Sequence, residues 1–151
     1  TVRMTVLIDT GVLYADHDTD ATRHDTASDV LDSVYDDGFG QPYISDYIYD
    51  EAVTLTLKRG SFETAKQLGA RMRGADSYPE TYYLLRVSDA RFADAIEVFE
   101  QYDDQRLSFT DATTVALAQH HGIDHILSFD DDFDGLASRL DPLEVEGHKP
   151  D

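Results

Sequence analysis

The chain has 151 residues, with 12 Lys+Arg against 31 Asp+Glu, a formal net charge of −19 at pH 7. Its length and 41% hydrophobic content suit one domain around one core. The absence of Cys excludes disulfides, thiolate zinc sites and cysteine nucleophiles. No apolar run approaches the roughly 18 residues of a membrane span. No basic-plus-apolar leader is visible, so a soluble, cytoplasmic protein with no membrane partner is expected.

The acids comprise 24 Asp and only 7 Glu, and the bases 9 Arg and only 3 Lys. They are spread through every segment, so this is not an acidic interaction tail. Dispersed Asp with scarce Lys fits a halophilic surface, where salt screens the repulsion. Taken at face value, the charge argues against nucleic acid, because phosphate binding rests on Lys and Arg. With so many acids, any one of them carries little information by itself. Its position must carry the argument.

Met4–Ile8 reads as a strand, and Val6-Leu7-Ile8 is an apolar run suited to a sheet buried on both faces. Asp9-Thr10-Gly11 reads as its end. A helical period spans about Asp20–Tyr35 through Ala21, Ala27, Val30, Leu31 and Val34. Tyr43-Ile44-Ser45 is a short strand, followed by a helix over Asp46–Lys58 that Gly60 stops. Ser61 caps a further helix to about Arg73. Tyr82–Val87 reads as a strand, and Ser88 caps a helix carrying Phe92, Ala95, Ile96 and Phe99. Thr110 is the expected cap of the next helix, ended by Gly122. His125–Phe129 reads as a buried strand and Leu143–Val145 as an edge strand. One domain over 1–146 and a loose tail over 147–151 are expected. Strands alternating with helices point to an α/β sandwich on a mostly parallel sheet of four to five strands.

Ligands of open parallel sheets gather at the carboxyl ends of the strands. Asp9 leaves the first strand there, and Asp130 follows the His125–Phe129 strand in the same way. Asp111 lies in the first turn of the helix leading into that strand, so it shares the same rim. Glu51 sits just over one turn into its helix, roughly 6–8 Å above the edge. Converging carboxylates repel unless a cation compensates. An all-oxygen set suits Mg²⁺ or Mn²⁺ rather than Zn²⁺. Each acid also has an ordinary reading: Asp111 as a helix-start acid, Asp9 as a turn former, Asp130 in a solvated run, Glu51 on a helix surface. Their coincidence at one edge favours the site.

The chain resembles PIN domains, and within them the short toxins of the VapC type. The resemblance rests on Val6-Leu7-Ile8-Asp9-Thr10-Gly11-Val12-Leu13, the stretch YISDYIYDEAV ending at Val53, LSFTDA over Leu107–Ala112 and HILSFDDDF over His125–Phe133. It covers about residues 4–140 and implies a three-layer sandwich and a Mg²⁺-dependent endoribonuclease leaving a 5′-phosphate and a 3′-hydroxyl. The metal-binding acids would be Asp9, Glu51, Asp111 and Asp130, with Asp132 as the alternative fourth. Thr10 and Ser128 would supply hydroxyls that orient carboxylates. The implied partners are RNA, a cognate antitoxin and a second copy of the chain in a homodimer.

Lys58, Arg59, Lys66, Arg71 and Arg73, with Glu63 the only acid among them, form a basic stretch. Read functionally, it faces RNA or an antitoxin; read structurally, its cations complement helix dipoles. Two rival functions remain: a catalytically inactive PIN-like binding module and a haloacid-dehalogenase-like phosphatase. The phosphatase wants a second acid where Gly11 stands, and the presence of all four acids argues against decay.

Overall fold

The computed structural model describes residues 4–38 and 40–147. Five strands form one parallel sheet in the order β3-β2-β1-β4-β5: β1 (Val6–Ile8), β2 (Pro42–Ser45), β3 (Tyr83–Leu85), β4 (His125–Leu127) and β5 (Arg139–Leu140). β1 is central, with Leu7 beside Tyr43 on one side and Ile126 on the other. Its three residues are fully buried, as an unbroken apolar run requires when helices cover both sheet faces.

Helices α1 (Thr10–His17), α2 (His24–Ser33), α3 (Asp46–Arg59) and α4 (Phe62–Arg73) contribute to one apolar cluster with β1 and β2. Helices α5 (Asp89–Gln101) and α6 (Phe109–His121) build a second cluster around Ile126 and Phe133. Consecutive β4 residues divide between the two, Ile126 joining the second and Leu127 the first, as strand alternation dictates. The result is the expected sandwich, with helices on both faces of the sheet.

Local chemistry sets the helix ends. Ser45, Ser61 and Ser88 accept hydrogen bonds from Ile48 N, Thr64 N and Arg91 N, capping α3, α4 and α5. Gly74 and Gly122 close α4 and α6 in the left-handed conformation that glycine adopts without a Cβ penalty. At Gly74 a Cβ would also stand 2.8 Å from the Glu80 Cα, so this turn admits little else.

Several sequence expectations are corrected. The Asp9-Thr10-Gly11 turn is instead the start of α1, a buried helix with no amphipathic pattern. α2 begins at His24, not Asp20, and runs into a π-helical turn over Val34–Gly38. The cap of α6 is Ser108, not Thr110, because the Ser108 hydroxyl reaches the Asp111 amide at 3.0 Å. The edge strand is Arg139–Leu140, and Leu143–Val145 lies inside α7 (Pro142–Gly147). Pro142 supplies a preset first helical position, while Asp141 accepts from Leu143 N at 3.0 Å. Of the expected 147–151 tail, Gly147 closes α7 and the remainder lies outside the described residues.

Candidate functional site

Parallel pairing brings the carboxyl ends of β1 and β4 side by side, with Ile8 opposite Leu127. Asp9 leaves the first and Ser128-Phe129-Asp130 the second. α6 starts at the same edge and carries Asp111 there, while α3 carries Glu51. All four acids line one cavity of about 720 Å³. The structure therefore brings together the four residues that sequence position had grouped.

Asp9 is 7% exposed and stands at the N-terminus of α1 without capping it through its side chain. The Ser128 hydroxyl donates to its Oδ2 at 2.7 Å, and Oδ1 is buried with no partner among the described residues. Burial pushes the Asp9 pKa up to about 6. The Ser128 hydroxyl and the Thr10 amide pull it down, and the charges of Glu51 and Asp130 push it up.

Asp111 is 8% exposed and completes a capping box with Ser108, whose amide donates to Asp111 Oδ2 at 3.2 Å. Its pKa rises to about 7, through burial first and the charge of Asp9 second, against the lowering bonds from Ser108. Two neighbouring carboxyls that resist ionisation near neutrality mark a site short of positive charge.

Asp130 is held from both ends. Its amide donates to Ser128 Oγ at 2.9 Å, and its Oδ1 accepts from Asp132 N at 2.9 Å, capping a 3-10 turn over Asp131–Phe133. Ser128 thus ties Asp9 to the Asp130 backbone through one fully buried hydroxyl. Thr10 does not match it: its hydroxyl is buried with no partner among the described residues, and its contribution to Asp9 comes from the amide. Asp132 stays outside the cavity lining. With Asp130 and Asp131 it makes the one group of three carboxyls, among the described residues, whose ligand oxygens lie within 4.8 Å of each other. The four cavity acids are therefore set wider than that.

The basic stretch does not act as one patch. Arg71 is bridged to the well-buried Asp16 at 2.8 Å, and Arg73 donates to the Tyr49 hydroxyl at 3.1 Å. Lys58 and Lys66 are exposed on α3 and α4. Arg59 alone of the five lines the acidic cavity, its guanidinium 5.1 Å from the centroid of the Tyr14 ring. Sequence reasoning missed Tyr14 and Arg23 there. Both depend on α1 and the connection after it, which carry no periodic signal.

Fold and site together define a parallel α/β protein with an acidic pocket at its strand ends. The PIN domain model matches residues 6–138, and the chain belongs to that family. Its fold is that of several VapC-type toxins. VapC20 of Mycobacterium tuberculosis, described as a sarcin-ricin loop cleaving toxin, superposes with a TM-score of 0.75 at 24% identity, over 85% of this chain and 92% of that one. A toxin–antitoxin complex from Klebsiella pneumoniae gives 0.63 at 19%, over 91% and 97%. VapBC2 of Rickettsia felis, bound to a DNA fragment from its promoter, gives 0.67 at 11%, over 91% and 98%. No curated protein sequence matches the chain. No helix among the described residues is long and apolar enough to cross a membrane.

Proposed function

We propose that the chain is a Mg²⁺-dependent endoribonuclease acting as the toxin of a toxin–antitoxin pair. One observation carries this reading: acids from four separate elements face one cavity, and two of them are buried with raised pKa values. The residues fit a hard divalent cation. The donors are all oxygen, and the buried Asp9 Oδ1 lacks a partner among the described residues. Asp9 and Asp111 would hold the ion, with Glu51 and Asp130 completing the set; Mn²⁺ is the natural substitute. When bound, the ion supplies Lewis acidity toward a phosphodiester and a nucleophilic water at neutral pH.

The chain's own groups do the positioning. Ser128 fixes the Asp9 carboxylate by donating to Oδ2, while Oδ1 is buried with no hydrogen-bond partner among the described residues. The capping box holds Asp111 in the same way, occupying Oδ2. Glu51, on the wall of the cavity, completes this set of carboxylates or orients a water.

RNA as substrate is supported by the like fold of VapC20, a sarcin-ricin loop cleaving toxin, and an antitoxin partner by the toxin–antitoxin complexes of like fold. A homodimer is supported by α5, where Phe92, Ile96 and Phe99 stay 43%, 37% and 46% exposed at three-to-four spacing.

The test is cleavage of RNA in molar KCl with Mg²⁺, compared with EDTA and with Asp9→Asn and Asp111→Asn. Cleavage by the wild type alone, and only with metal, is expected. Equal cleavage in every sample means a contaminant, and none in any sample means an inactive binding module.

A further inference from the structure

Two arginines share the acidic cavity, and both lie on aromatic rings. Arg59 ends α3 over Tyr14, and Arg23 precedes α2 with its guanidinium 4.6 Å from the centroid of the Phe129 ring. Neither has an ion-pair partner within 4.0 Å among the described residues. By contrast, Arg71, Arg91 and Arg139 are each bridged to Asp. Arg73, Arg86 and Arg106 are likewise unbridged among the described residues; Arg23 and Arg59 differ from them in lying over a ring on the wall of the acidic cavity. Stacking on a ring orients a guanidinium while leaving its N–H edge free for a phosphate, which it can grip in bidentate fashion.

Their placement follows the walls of the site. Glu51, Leu55 and Arg59 all line the cavity from α3 at i, i+4 and i+8, so Arg59 stands about 12 Å along the helix from Glu51. Arg23 approaches from another flank, over Phe129, which lies between Ser128 and Asp130. Both arginines thus line the same cavity as the four acids, one along the α3 wall and one over the ring that precedes Asp130.

We propose that Arg23 and Arg59 are positioning residues that hold the phosphates of a single-stranded RNA flanking the one at the carboxylate centre. The proposal rests on the ribonuclease reading and deepens it. It explains how a chain of net charge −19 meets a polyanion: contact is confined to two pre-oriented guanidiniums beside the centre, rather than spread over a basic face.

The test measures binding of a labelled single-stranded RNA by anisotropy, with Mg²⁺, in an Asp111→Asn background that does not cleave. Arg23→Ala and Arg59→Ala should each weaken binding about tenfold, the loss of one charge-assisted contact. Each should also lower the magnitude of the salt slope by about 0.7, as expected for one phosphate contact on a single strand. Arg→Lys at either position should restore the slope but not the full affinity, because Lys keeps the charge and loses the planar fork. Arg91→Ala, which removes a cation paired with Asp94 on α5, should leave both unchanged within twofold. In the active chain the alanine variants should raise KM and leave kcat unchanged.

Unchanged affinity and slope in both alanine variants, with a wild type that still cleaves, overturns the proposal and spares the ribonuclease reading. So does a loss of affinity for a protein partner alone, which makes these arginines partner contacts. A wild type that neither binds nor cleaves RNA removes the underlying reading as well.

Discussion

Two groups of acids meet at Asp130, and they behave differently. Asp9 and Asp111 are buried, face Glu51 and Asp130 across a cavity, and hold their protons to about pH 6 and 7. Asp130, Asp131 and Asp132 are packed closer, within 4.8 Å, but Asp131 is exposed and the run folds into a turn that Asp130 caps by accepting from the Asp132 amide. Nearness alone is therefore a poor guide to a site. Water screens the exposed run, whereas the buried pair has only its neighbours to set its charge. In a chain this acidic, burial sets Asp9 and Asp111 apart from the surface coat.

The largest expected break in this contrast is catalytic. Asp9→Asn or Asp111→Asn should lower cleavage at least about 100-fold, whereas Asp131→Asn should stay within about twofold, measured on one RNA under one Mg²⁺ concentration. Ser128→Ala comes next. It frees Asp9 Oδ2 and strands the Asp130 amide, so activity should fall about 10- to 100-fold. Stability should drop by about 1–3 kcal/mol, read from urea midpoints.

The pH dependence sharpens the contrast further. Folded Asp9 and Asp111 hold protons more tightly than the unfolded chain does, so their burden is absent below about pH 4, grows as pH rises through 6 and 7, and is complete above. For Asp9, a rise from 3.8 to about 6 corresponds to about 3 kcal/mol. In EDTA, Asp9→Asn should therefore raise Tm at pH 8 and have little effect at pH 4. Mg²⁺ should raise the wild-type Tm more at pH 8 than at pH 5, where protons occupy the site. The smallest effect belongs to the exposed run: Asp131→Asn should change stability by under about 0.5 kcal/mol at any pH.

The centre of the sheet was legible because β1 and β4 carry buried apolar residues directly before an acid-bearing turn or helix start, whereas the polar edge strand Arg139–Leu140 was not. Val6-Leu7-Ile8 and His125-Ile126-Leu127 were read as strands, and the position of each following acid came with them. α1 was not legible. Thr10, Val12, Leu13 and Ala15 are all buried, so the helix shows no polar stripe, and Gly11 in its first turn imitates a loop. Losing α1 also hid Tyr14, and with it the seat of Arg59. Leu143–Val145 failed for a different reason: a short apolar run suits strand and helix equally, and Pro142 decided for the helix. Thr110 lost to Ser108 by two residues, a distinction that rests on hydroxyl geometry rather than residue type. Ser128 was anticipated as an orienting hydroxyl, but its second bond, to the Asp130 amide, depends on how the chain turns after β4.

The capping box of α6 gives this site a built-in reporter. The Ser108 amide donates to the same carboxyl that is proposed to take the ion, so anything that withdraws charge from Asp111 weakens this capping hydrogen bond. Protonating Asp111 or loading the pocket should therefore shift the Ser108 amide resonance and change its exchange with solvent. The state of a buried carboxyl could then be followed at one backbone N–H, without a substrate and without turnover.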